Sequence, residues 1–560
     1  MRNRLLEPGS FLFDGGHMRK TLLCAAAAIS LTVLTLAVPT VAQAKTATVA
    51  TAASTIPVDW GTCDSKRLQD AGAECSKISV PLDWGKPSGT QIKIAISRIK
   101  HTVPDSQYQG IMLVNPGGPG GSGLGLSVLG QYVPERQGKD VGGAYDWIGF
   151  DPRGVGASEP AVSCNPDYPG AGYNRPNYKP TTSAYNISDP WPSITNQYTA
   201  DCAANNSAGI LRHLTTKDVA KDMNRIRQRL GQSQMNYYGF SYGTYLGQVY
   251  ASMFPNQLRR VVFDGTVDPR GVWYGDNLDQ DVAFDRNINI WFGWIAKHDD
   301  AYHLGTTKTA VRNLFYKTRD DLYANPVGPA SKKLGGSEWS DAFLYAGYYQ
   351  STWTDLAGVF SAFVNDDNIA ALDSAFLDAT GFGDDNGYAV YLGVQCTDTA
   401  WPTSWATWYK DNSAIDAVAP YETWANAWYN EPCRHWPAPA HVPMRIKDLG
   451  VKSILMIEET LDAATPYPGS IEVRKRFAKA SLVAVTSGTT HANSLNGNAC
   501  VDNTIADYLL TGKRPTRTSG DHADKYCKAL PTPTPTAAGQ QAAPQSKVNK
   551  LLMQEQALRP

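Results

Sequence analysis

The segment around Ser241 has the pattern of a nucleophilic serine. Gly239 and Gly243 flank it in a G-x-S-x-G arrangement, between a short segment that predicts a strand and one whose apolar residues have helical spacing. At such a strand-to-helix corner the backbone is strained and the hydroxyl stands clear of the sheet. Glycines on either side avoid collisions with neighbouring elements. The pattern predicts a serine that attacks carbonyl groups, provided that a base and an acid follow in the right order.

A histidine and two aspartates later in the chain could complete this chemistry. His491 lies on a loop just after a late predicted strand, where a general base for Ser241 is expected. Asp462 follows another predicted strand and precedes His491 by 29 residues. Asp264, at the end of a third predicted strand, is a rival acid because its carboxylate could also reach the imidazole. We favour Asp462, since it produces the order Ser, Asp, His of a known triad architecture.

A glycine-rich loop at residues 116–123 could stabilise an oxyanion. It follows a predicted strand, and its glycines let backbone N–H groups approach a developing negative charge. The predicted donors are the N–H of Tyr242 and one N–H from Gly117 or Gly118. The loop also satisfies G-x-G-x-x-G, so a dinucleotide site is an alternative. Against it, Pro119 stiffens the loop and no clear βαβ unit leads to a ribose-binding acid.

Strand-like and helical segments alternate along most of the chain. Several strand segments are continuous Ile, Val, Leu and Met runs, which are typical of strands buried on both faces. We therefore expect an α/β fold with a mostly parallel sheet and helices on both faces. The alternation stops in residues 268–441, which hold 11 of the 15 tryptophans. This interval predicts a mainly helical cap between two halves of one core, 57–267 and 442–528.

The two ends of the chain differ from its middle. A conventional export signal begins at Met18, with a basic pair, an apolar run and a small-residue cleavage pattern, so residues 1–44 are predicted to be removed. Residues 45–56 are rich in Ala and Thr and predict disorder. Residues 529–560 predict a low-complexity tail with a short helix at 548–558. These features predict a secreted protein with no membrane contact once the signal is removed.

Eight cysteines remain after the predicted signal, which carries Cys24. Export to an oxidising compartment favours structural disulfides, and pairing between sequence neighbours is one of many possible connectivities. A zinc site is disfavoured because neither C-x-x-C nor H-E-x-x-H spacing occurs. The neighbouring pairs are Cys63/Cys75, Cys164/Cys202, Cys396/Cys433 and Cys500/Cys527.

The charge balance narrows the possible partners. The chain has 51 basic and 52 acidic side chains and a formal net charge of −1. There is no basic stripe of the kind that binds nucleic acid. The predicted chemistry needs no metal or cofactor, and we expect a monomer.

These motifs together resemble a known family. The glycine loop, the Asp-Pro-Arg-Gly-Val-Gly-Ala-Ser segment at 151–158, the Ser241 motif and the contexts of Asp462 and His491 are similar to the proline iminopeptidase and tripeptidyl aminopeptidase branch of the α/β-hydrolases. The secreted tripeptidyl aminopeptidases of actinomycetes are the most similar. The resemblance covers roughly residues 57–527, including their typical C-terminal segment. It departs at Asn115-Pro116, where the iminopeptidases carry a histidine.

The resemblance implies the α/β-hydrolase fold and a serine exopeptidase. The implied reaction releases short peptides, tripeptides above all, from peptide substrates with a free amino terminus, through an acyl-enzyme. Such enzymes need a carboxylate for the substrate's α-ammonium group, which the cap is expected to supply. Asp398 is favoured and Glu338 is the second choice, although the sequence does not separate them from Asp341, Asp355 and Glu422. Arg153 is expected to pin its loop through an ion pair.

Two alternatives stay open at this stage. An esterase or lactonase would use the same triad, because triad chemistry does not distinguish an amide from an ester. A catalytically silent, hydrolase-like binding or cell-surface protein would keep the fold without the reaction. The second is weakened because the nucleophile, base, acid and glycine loop are all present.

Overall fold

The continuous apolar segments form the strands of one central sheet. The computed structural model describes residues 57–168, 173–206, 209–380, 383–535 and 547–555. Within these residues the strands are β1 (Gly61–Thr62), β2 (Glu74–Pro81), β3 (Gln91–Ile99), β4 (Ile111–Asn115), β5 (Asp146–Phe150), β6 (Met235–Phe240), β7 (Leu258–Asp264), β8 (Ile454–Glu459), β9 (Ala480–Thr486) and β10 (Lys525–Lys528). The predicted signal region and the predicted disordered segment 45–56 lie outside the described residues.

The sheet has a parallel majority. Its strand order is β1-β2-β3-β5-β4-β6-β7-β8-β9-β10. The first three strands are antiparallel, and β3 pairs antiparallel with β5. From β5 to β10 all neighbouring strands are parallel. The predicted mostly parallel sheet is confirmed, and the loops that follow β4, β6, β8 and β9 meet at one edge of it.

Helices cover both faces of the sheet. The α-helices of the described residues are α1 (Lys66–Asp70), α2 (Pro190–Asn205), α3 (Thr216–Arg229), α4 (Tyr242–Met253), α5 (Tyr274–Lys297), α6 (Asp299–Tyr302), α7 (Lys308–Ala324), α8 (Gly336–Ala342), α9 (Leu344–Tyr348), α10 (Trp353–Asp366), α11 (Ile369–Ala379), α12 (Asn386–Asp398), α13 (Trp405–Asp416), α14 (Thr423–Asn430), α15 (Tyr467–Arg476), α16 (Ala499–Thr511) and α17 (Lys547–Glu555). Alternate residues of β4 enter different apolar cores: Ile111 and Leu113 point into one, Met112 and Val114 into the other. This two-sided burial explains why the strand has no polar face.

Helices α5 to α14 lie between β7 and β8 and form the cap. Four buried tryptophans, Trp291, Trp294, Trp339 and Trp353, belong to an apolar core of its own. The predicted helical insertion is therefore confirmed, while its boundaries at 268 and 441 stay a prediction. The other seven tryptophans of the predicted insertion pack in or against the apolar core on one face of the sheet.

One segment assigned to the core by sequence packs against the cap instead. Helix α2 precedes the serine motif, yet its Trp191 stacks on Trp428 of α14, with ring centroids 6.1 Å apart. Tyr168 likewise stacks on Tyr388 of α12 at 5.2 Å. The cap thus receives aromatic side chains from two separate parts of the chain.

Disulfides and a buried ion pair fix the connecting loops. Four bonds join Cys63 to Cys75, Cys164 to Cys202, Cys396 to Cys433, and Cys500 to Cys527. Each closes a short stretch of chain, which limits the freedom of the unfolded state. Arg153 is buried and pairs with Asp222 at 2.7 Å, so it pins its loop as expected. No helix in the described part of the chain is long and apolar enough to cross a membrane.

The C-terminal tail contacts both the cap and the core. The indole N–H of Trp294 donates to the carbonyl oxygen of Pro533, 2.9 Å away. Helix α17 lies in the predicted tail, where a helix at 548–558 was expected. Its Val548 and Leu552 are fully buried in the core on one face of the sheet. Part of the predicted low-complexity tail is therefore packed structure.

Candidate active site

Ser241 occupies a strained corner between β6 and α4. Its φ of 55° lies in a region that residues with a side chain rarely adopt. The Ser241 N–H donates to the carbonyl oxygen of Asp264 at 3.0 Å, which ties the corner to the neighbouring strand. A Cβ on Gly239 would lie 2.5 Å from the carbonyl oxygen of Gly243. Both motif glycines are therefore needed for close backbone approach, and the serine hydroxyl faces a cavity.

Asp462 and His491 are hydrogen bonded below this corner. The imidazole Nδ1 lies 2.8 Å from Asp462 Oδ2 and 3.0 Å from Oδ1, and both side chains are buried. The carboxylate also accepts bonds from the N–H groups of Ala464 and Thr465 and from the Thr465 hydroxyl, all within 3.0 Å. These contacts place the proton on Nδ1 and leave Nε2 as the acceptor. Nε2 is buried and has no hydrogen-bond partner in the described chain.

The rival acid, Asp264, has a different role. Its Oδ2 accepts the N–H of Ser494 at 2.8 Å, in the loop that follows His491. The structure shows no hydrogen bond between Asp264 and His491 within the described residues. Burial raises the pKa of Asp264 to about 7, well above the ordinary value of an aspartate. Asp462 is the carboxylate that contacts the imidazole.

The two candidate oxyanion donors of the glycine loop differ in their contacts. The N–H of Gly117 donates to the side-chain oxygen of Asn115 at 3.1 Å, so Gly117 is the less suited of the two to stabilise an oxyanion. Its role is steric, because a Cβ there would lie 2.8 Å from Ser241 Cβ. Gly118 lines the cavity beside Ser241 and Tyr242. Tyr242 is the first residue of α4, where an N–H has no partner inside the helix. The arrangement favours Gly118 and Tyr242 as the two donors.

Neither predicted amine-binding carboxylate lines the cavity. Asp398 is buried at the end of α12 and accepts both the N–H and the hydroxyl of Thr216, at 2.8 Å and 2.5 Å. That hydroxyl lies 2.8 Å from the hydroxyl of Tyr242, so Asp398 supports the residue after the nucleophile. Glu338 caps α8 by accepting the N–H groups of Gly335 and Arg175. Both predictions are wrong, because the packing of the cap helices turns these side chains inward.

The cavity beside Ser241 is strongly acidic. Its volume is about 470 Å³, within the usual range for small-ligand sites. Five carboxylates and two guanidinium groups line it, and one of the latter, Arg270, is paired with Asp268 at 2.5 Å. Burial raises the pKa of Asp276 well above its ordinary value. The remaining carboxylates are Asp279, Asp281 and Glu422, and the other guanidinium belongs to Arg286. The cavity therefore suits a positively charged group.

Sequence reasoning missed most of this acidic wall. Asp276, Asp279 and Asp281 fall within six residues at the start of α5, directly after the loop that leaves β7. Three aspartates clustered at the start of the first cap helix could have indicated an acidic wall in the cavity. Aromatic side chains also line the cavity: Phe284, Tyr348, Tyr391 and Tyr429. In the described part of the chain no group of three or more His, Cys, Asp or Glu side chains is placed to hold a metal ion.

A second buried carboxyl supports the histidine loop. Glu459, at the end of β8, accepts the N–H of Thr490 at 2.5 Å and the side-chain amide of Asn493 at 2.7 Å. Burial raises its pKa to about 8. Glu459 thus binds its proton far more tightly in the folded protein than in the unfolded chain.

This difference predicts a pH-dependent loss of stability. The stabilisation from protonated Glu459 is complete below about pH 4.5 and is lost as the pH rises towards 8. Between pH 5 and pH 8 the fall in the free energy of unfolding should be smaller in Glu459→Gln than in the wild type, by ~3 kcal/mol. Urea unfolding of both proteins at pH 5 and at pH 8 measures the two falls. Equal falls in both proteins would contradict the assignment.

Comparisons with known proteins agree with this geometry. Residues 110–323 match the family model for the alpha/beta hydrolase fold, and residues 419–527 match the model described as TAP-like protein. The chain is 37% identical over 503 residues to a tripeptidyl aminopeptidase of Streptomyces lividans, covering 88% of this chain and 91% of the relative. It is 29% identical over 482 residues to the serine protease Hip1 of Mycobacterium tuberculosis, covering 82% and 90%.

More distant similarities include other activities. A carboxylesterase B of Mycobacterium tuberculosis is 30% identical over 475 residues, covering 81% of this chain and 88% of the relative. Among solved structures, a proline iminopeptidase of Mycobacterium smegmatis is 14% identical with a TM-score of 0.32, covering 78% of this chain and 97% of that one. Esterase E22 is 13% identical with a TM-score of 0.38, covering 78% and 100%.

Proposed function

Because the chain belongs to the tripeptidyl aminopeptidase family of α/β-hydrolases, we propose that it releases tripeptides from the free amino termini of peptides. The family predicted from the motifs is confirmed, and the chain is a serine exopeptidase of that type. The observation that carries the proposal is the position of Ser241 at the mouth of an acidic cavity.

The proposed reaction passes through an acyl-enzyme. The Ser241 hydroxyl attacks the scissile carbonyl carbon while His491 Nε2 takes its proton, and Asp462 stabilises the imidazolium that forms. Backbone N–H groups of Gly118 and Tyr242 stabilise the oxyanion. His491 then protonates the leaving amine, and water repeats the sequence to free the peptide. The hydrogen bond from Ser241 to Nε2, absent from the described residues, forms as the substrate settles in the site.

The acidic end of the cavity explains the need for a free amino terminus. Asp281 and Glu422 line it and are only 1% and 2% exposed. The side-chain amide of Asn426 on α14 donates to Asp281 on α5 at 2.9 Å, which holds α14 beside α5. Two buried carboxylates in the wall of the cavity that holds the nucleophile attract a positively charged group. The substrate's α-ammonium group carries that charge.

Neutralising this acidic end should weaken substrate binding. We expect Glu422→Gln and Asp281→Asn each to raise KM for free peptides about 10- to 100-fold and to change kcat by less than about fivefold. Asp279→Asn is the matched control, because Asp279 carries the same charge but lies exposed at the cavity rim. Its KM should change less than about threefold. Unchanged KM values in both buried variants would rule out this amine site.

Matched substrates separate the peptidase from the esterase that the distant relatives suggest. Four compounds share one tripeptide and differ in carrying an anilide or an ester, with a free or an acetylated amino terminus. We expect the free anilide to be cleaved efficiently and the acetylated one at less than about a hundredth of that rate. Efficient cleavage of the acetylated ester alone would favour an esterase.

We also propose that the protein acts outside the cell as a monomer. Four disulfides support the location, because such bonds persist in oxidising compartments. The export signal predicted for residues 1–44 lies outside the described residues.

A further inference from the structure

The loops that carry the acid and the base need support from outside themselves. Three residues of the histidine loop, Ser487, Ala492 and Leu495, have φ values of 60°, 49° and 59°. Side-chain-bearing residues adopt such values at a cost, and they persist only where surrounding contacts hold them. The two loops share one direct backbone bond, from the N–H of Leu461 to the carbonyl oxygen of Gly488 at 2.9 Å. The Ser487 N–H also donates to the Thr460 hydroxyl at 2.9 Å, and contacts from the cap add to these two bonds.

A single cap residue joins both loops. Asn287 lies on α5 and is only 1% exposed. Its side-chain amide nitrogen lies 3.0 Å from the carbonyl oxygen of Leu461 in the acid loop and 3.2 Å from that of Thr489 in the base loop. It also lies 3.2 Å from the carbonyl oxygen of Gly347 in the cap. One amide group thus links the cap, the residue before Asp462 and a residue two positions before His491.

The neighbouring arginine holds Asn287 in this orientation. Arg286 Nε donates to Asn287 Oδ1 at 3.0 Å, so the nitrogen of the amide must face the loops. Arg286 Nη2 donates in turn to the carbonyl oxygens of Leu461 and Asp462, at 2.5 Å and 3.1 Å. Arg286 and Asn287 thus both donate to backbone oxygens beside the acid, and neither of these bonds uses the Asp462 carboxylate.

Other cap residues hold the same two loops. Gln280 donates to the carbonyl oxygen of Ala464, and Gln350 donates to the hydroxyl of Thr489 at 2.7 Å. The N–H of His491 itself donates to the carbonyl oxygen of Tyr348 at 2.8 Å. Moving α5 away from the core would break the contacts of both loops together. The cap is therefore part of the triad's scaffold.

From these contacts we infer that Asn287 is a positioning residue for the triad, which sets the distance between Asp462 and His491. The inference rests on the proposed function, since it concerns the same serine, base and acid. Asn287 does not touch the cavity, so its effect must pass through the two loops. Loss of its amide should slow proton transfer and leave substrate binding unchanged.

The test is the Asn287→Ala variant of the full-length protein. We expect kcat for a free tripeptide anilide to fall about 10- to 50-fold while KM stays within threefold. The rate at which a fluorophosphonate labels Ser241 should fall in parallel, and this readout does not depend on peptide specificity. Asn289→Ala is the matched control, because the Asn289 side-chain amide donates to the carbonyl oxygen and the carboxylate of Asp285, one turn earlier in the same helix. It should change neither rate by more than about twofold.

A double variant distinguishes positioning from a general loss of structure. In an Asp462→Asn background, Asn287→Ala should lower the residual activity by less than twofold. The bond between the Asp462 carboxylate and His491, which Asn287 positions, is already lost there. The same 10- to 50-fold loss in both backgrounds would overturn the inference, as would wild-type labelling of Asn287→Ala. Should Asn287→Ala not fold, Asn287→Ser carries the same test. If the wild type cleaves no peptide while fluorophosphonate labelling is still slower in Asn287→Ala, the proposed function is refuted and the positioning role of Asn287 stands.

Discussion

Replacing Ser241 by alanine should lower kcat about 10⁴- to 10⁶-fold while the peptide still binds. The hydroxyl oxygen is the atom that forms the acyl bond, and Ser241 occupies the corner between β6 and α4. Gly118 and Tyr242 would still offer their N–H groups, so a small residual rate over water is expected. Hydrolysis of a free tripeptide anilide measures the loss, and peptide binding to the variant is measured by equilibrium dialysis.

Ser361→Ala provides the control for this substitution. Ser361 lies in the cap on α10, where its hydroxyl donates to the carbonyl oxygen of Tyr302. It does not line the cavity beside Ser241. It should keep kcat within about twofold of the wild type. Fluorophosphonate labelling should disappear in Ser241→Ala and persist in Ser361→Ala. A Ser241→Ala enzyme that keeps more than a tenth of the activity would show that the nucleophile lies elsewhere.

Replacing Asp462 by asparagine should lower kcat roughly 10³- to 10⁴-fold. The asparagine amide can present its NH₂ to Nδ1 of His491, which would move the imidazole proton to Nε2. The nitrogen that must accept the serine proton would then carry one. The pH-independent part of the kcat profile measures the loss, with thermal unfolding to verify that the variant is folded.

Asp264→Asn is the matched control for the acid. Asp264 is equally buried, but its carboxylate accepts the N–H of Ser494, whereas the imidazole Nδ1 is bonded to Asp462. Its loss should cost less than about tenfold in kcat. A larger loss in Asp264→Asn than in Asp462→Asn would reverse the assignment of the acid.

The residues at the strand ends could be predicted because each carries a local signal. Ser241 has its glycines, and Asp462 and His491 follow two apolar strands in a fixed order. The structure brings the last two within 2.8 Å because parallel strands end at the same edge. The sequence predicted that the glycine loop lies beside Ser241, but not which of its N–H groups faces the oxyanion. The choice between Gly117 and Gly118 depends on a side-chain contact of Asn115.

The proposed amine site could not be predicted from sequence, because it depends on how the cap helices pack. Asp398 and Glu338 have no local feature that distinguishes them from Glu422. Asp398 turns inward to Thr216 and Glu338 caps its own helix, while Glu422 faces the cavity. These differences arise from contacts between segments more than a hundred residues apart in the chain, such as Asp398 and Thr216. Periodicity and motifs do not report such contacts.

In the sheet, too, local sequence patterns predicted some features, while others depend on distant contacts. Continuous apolar strands predicted its parallel part, whereas the antiparallel edge of β1 to β3 carries the weaker alternating pattern. The packing of α2 on the cap depends on aromatic pairs such as Trp191 and Trp428, which no short-range pattern connects. Helix α17 was expected only as a short element in a polar tail, and its burial depends on a distant surface of the core.

Mass spectrometry of the products from a mixed peptide library tests the central claim most directly. Each peptide is supplied with a free and with an acetylated amino terminus, and every product is identified by its mass. We predict that tripeptides from the free amino termini dominate the products and that the acetylated peptides stay intact. Cleavage of both sets at equal rates, or at internal positions unrelated to the amino terminus, would contradict the account.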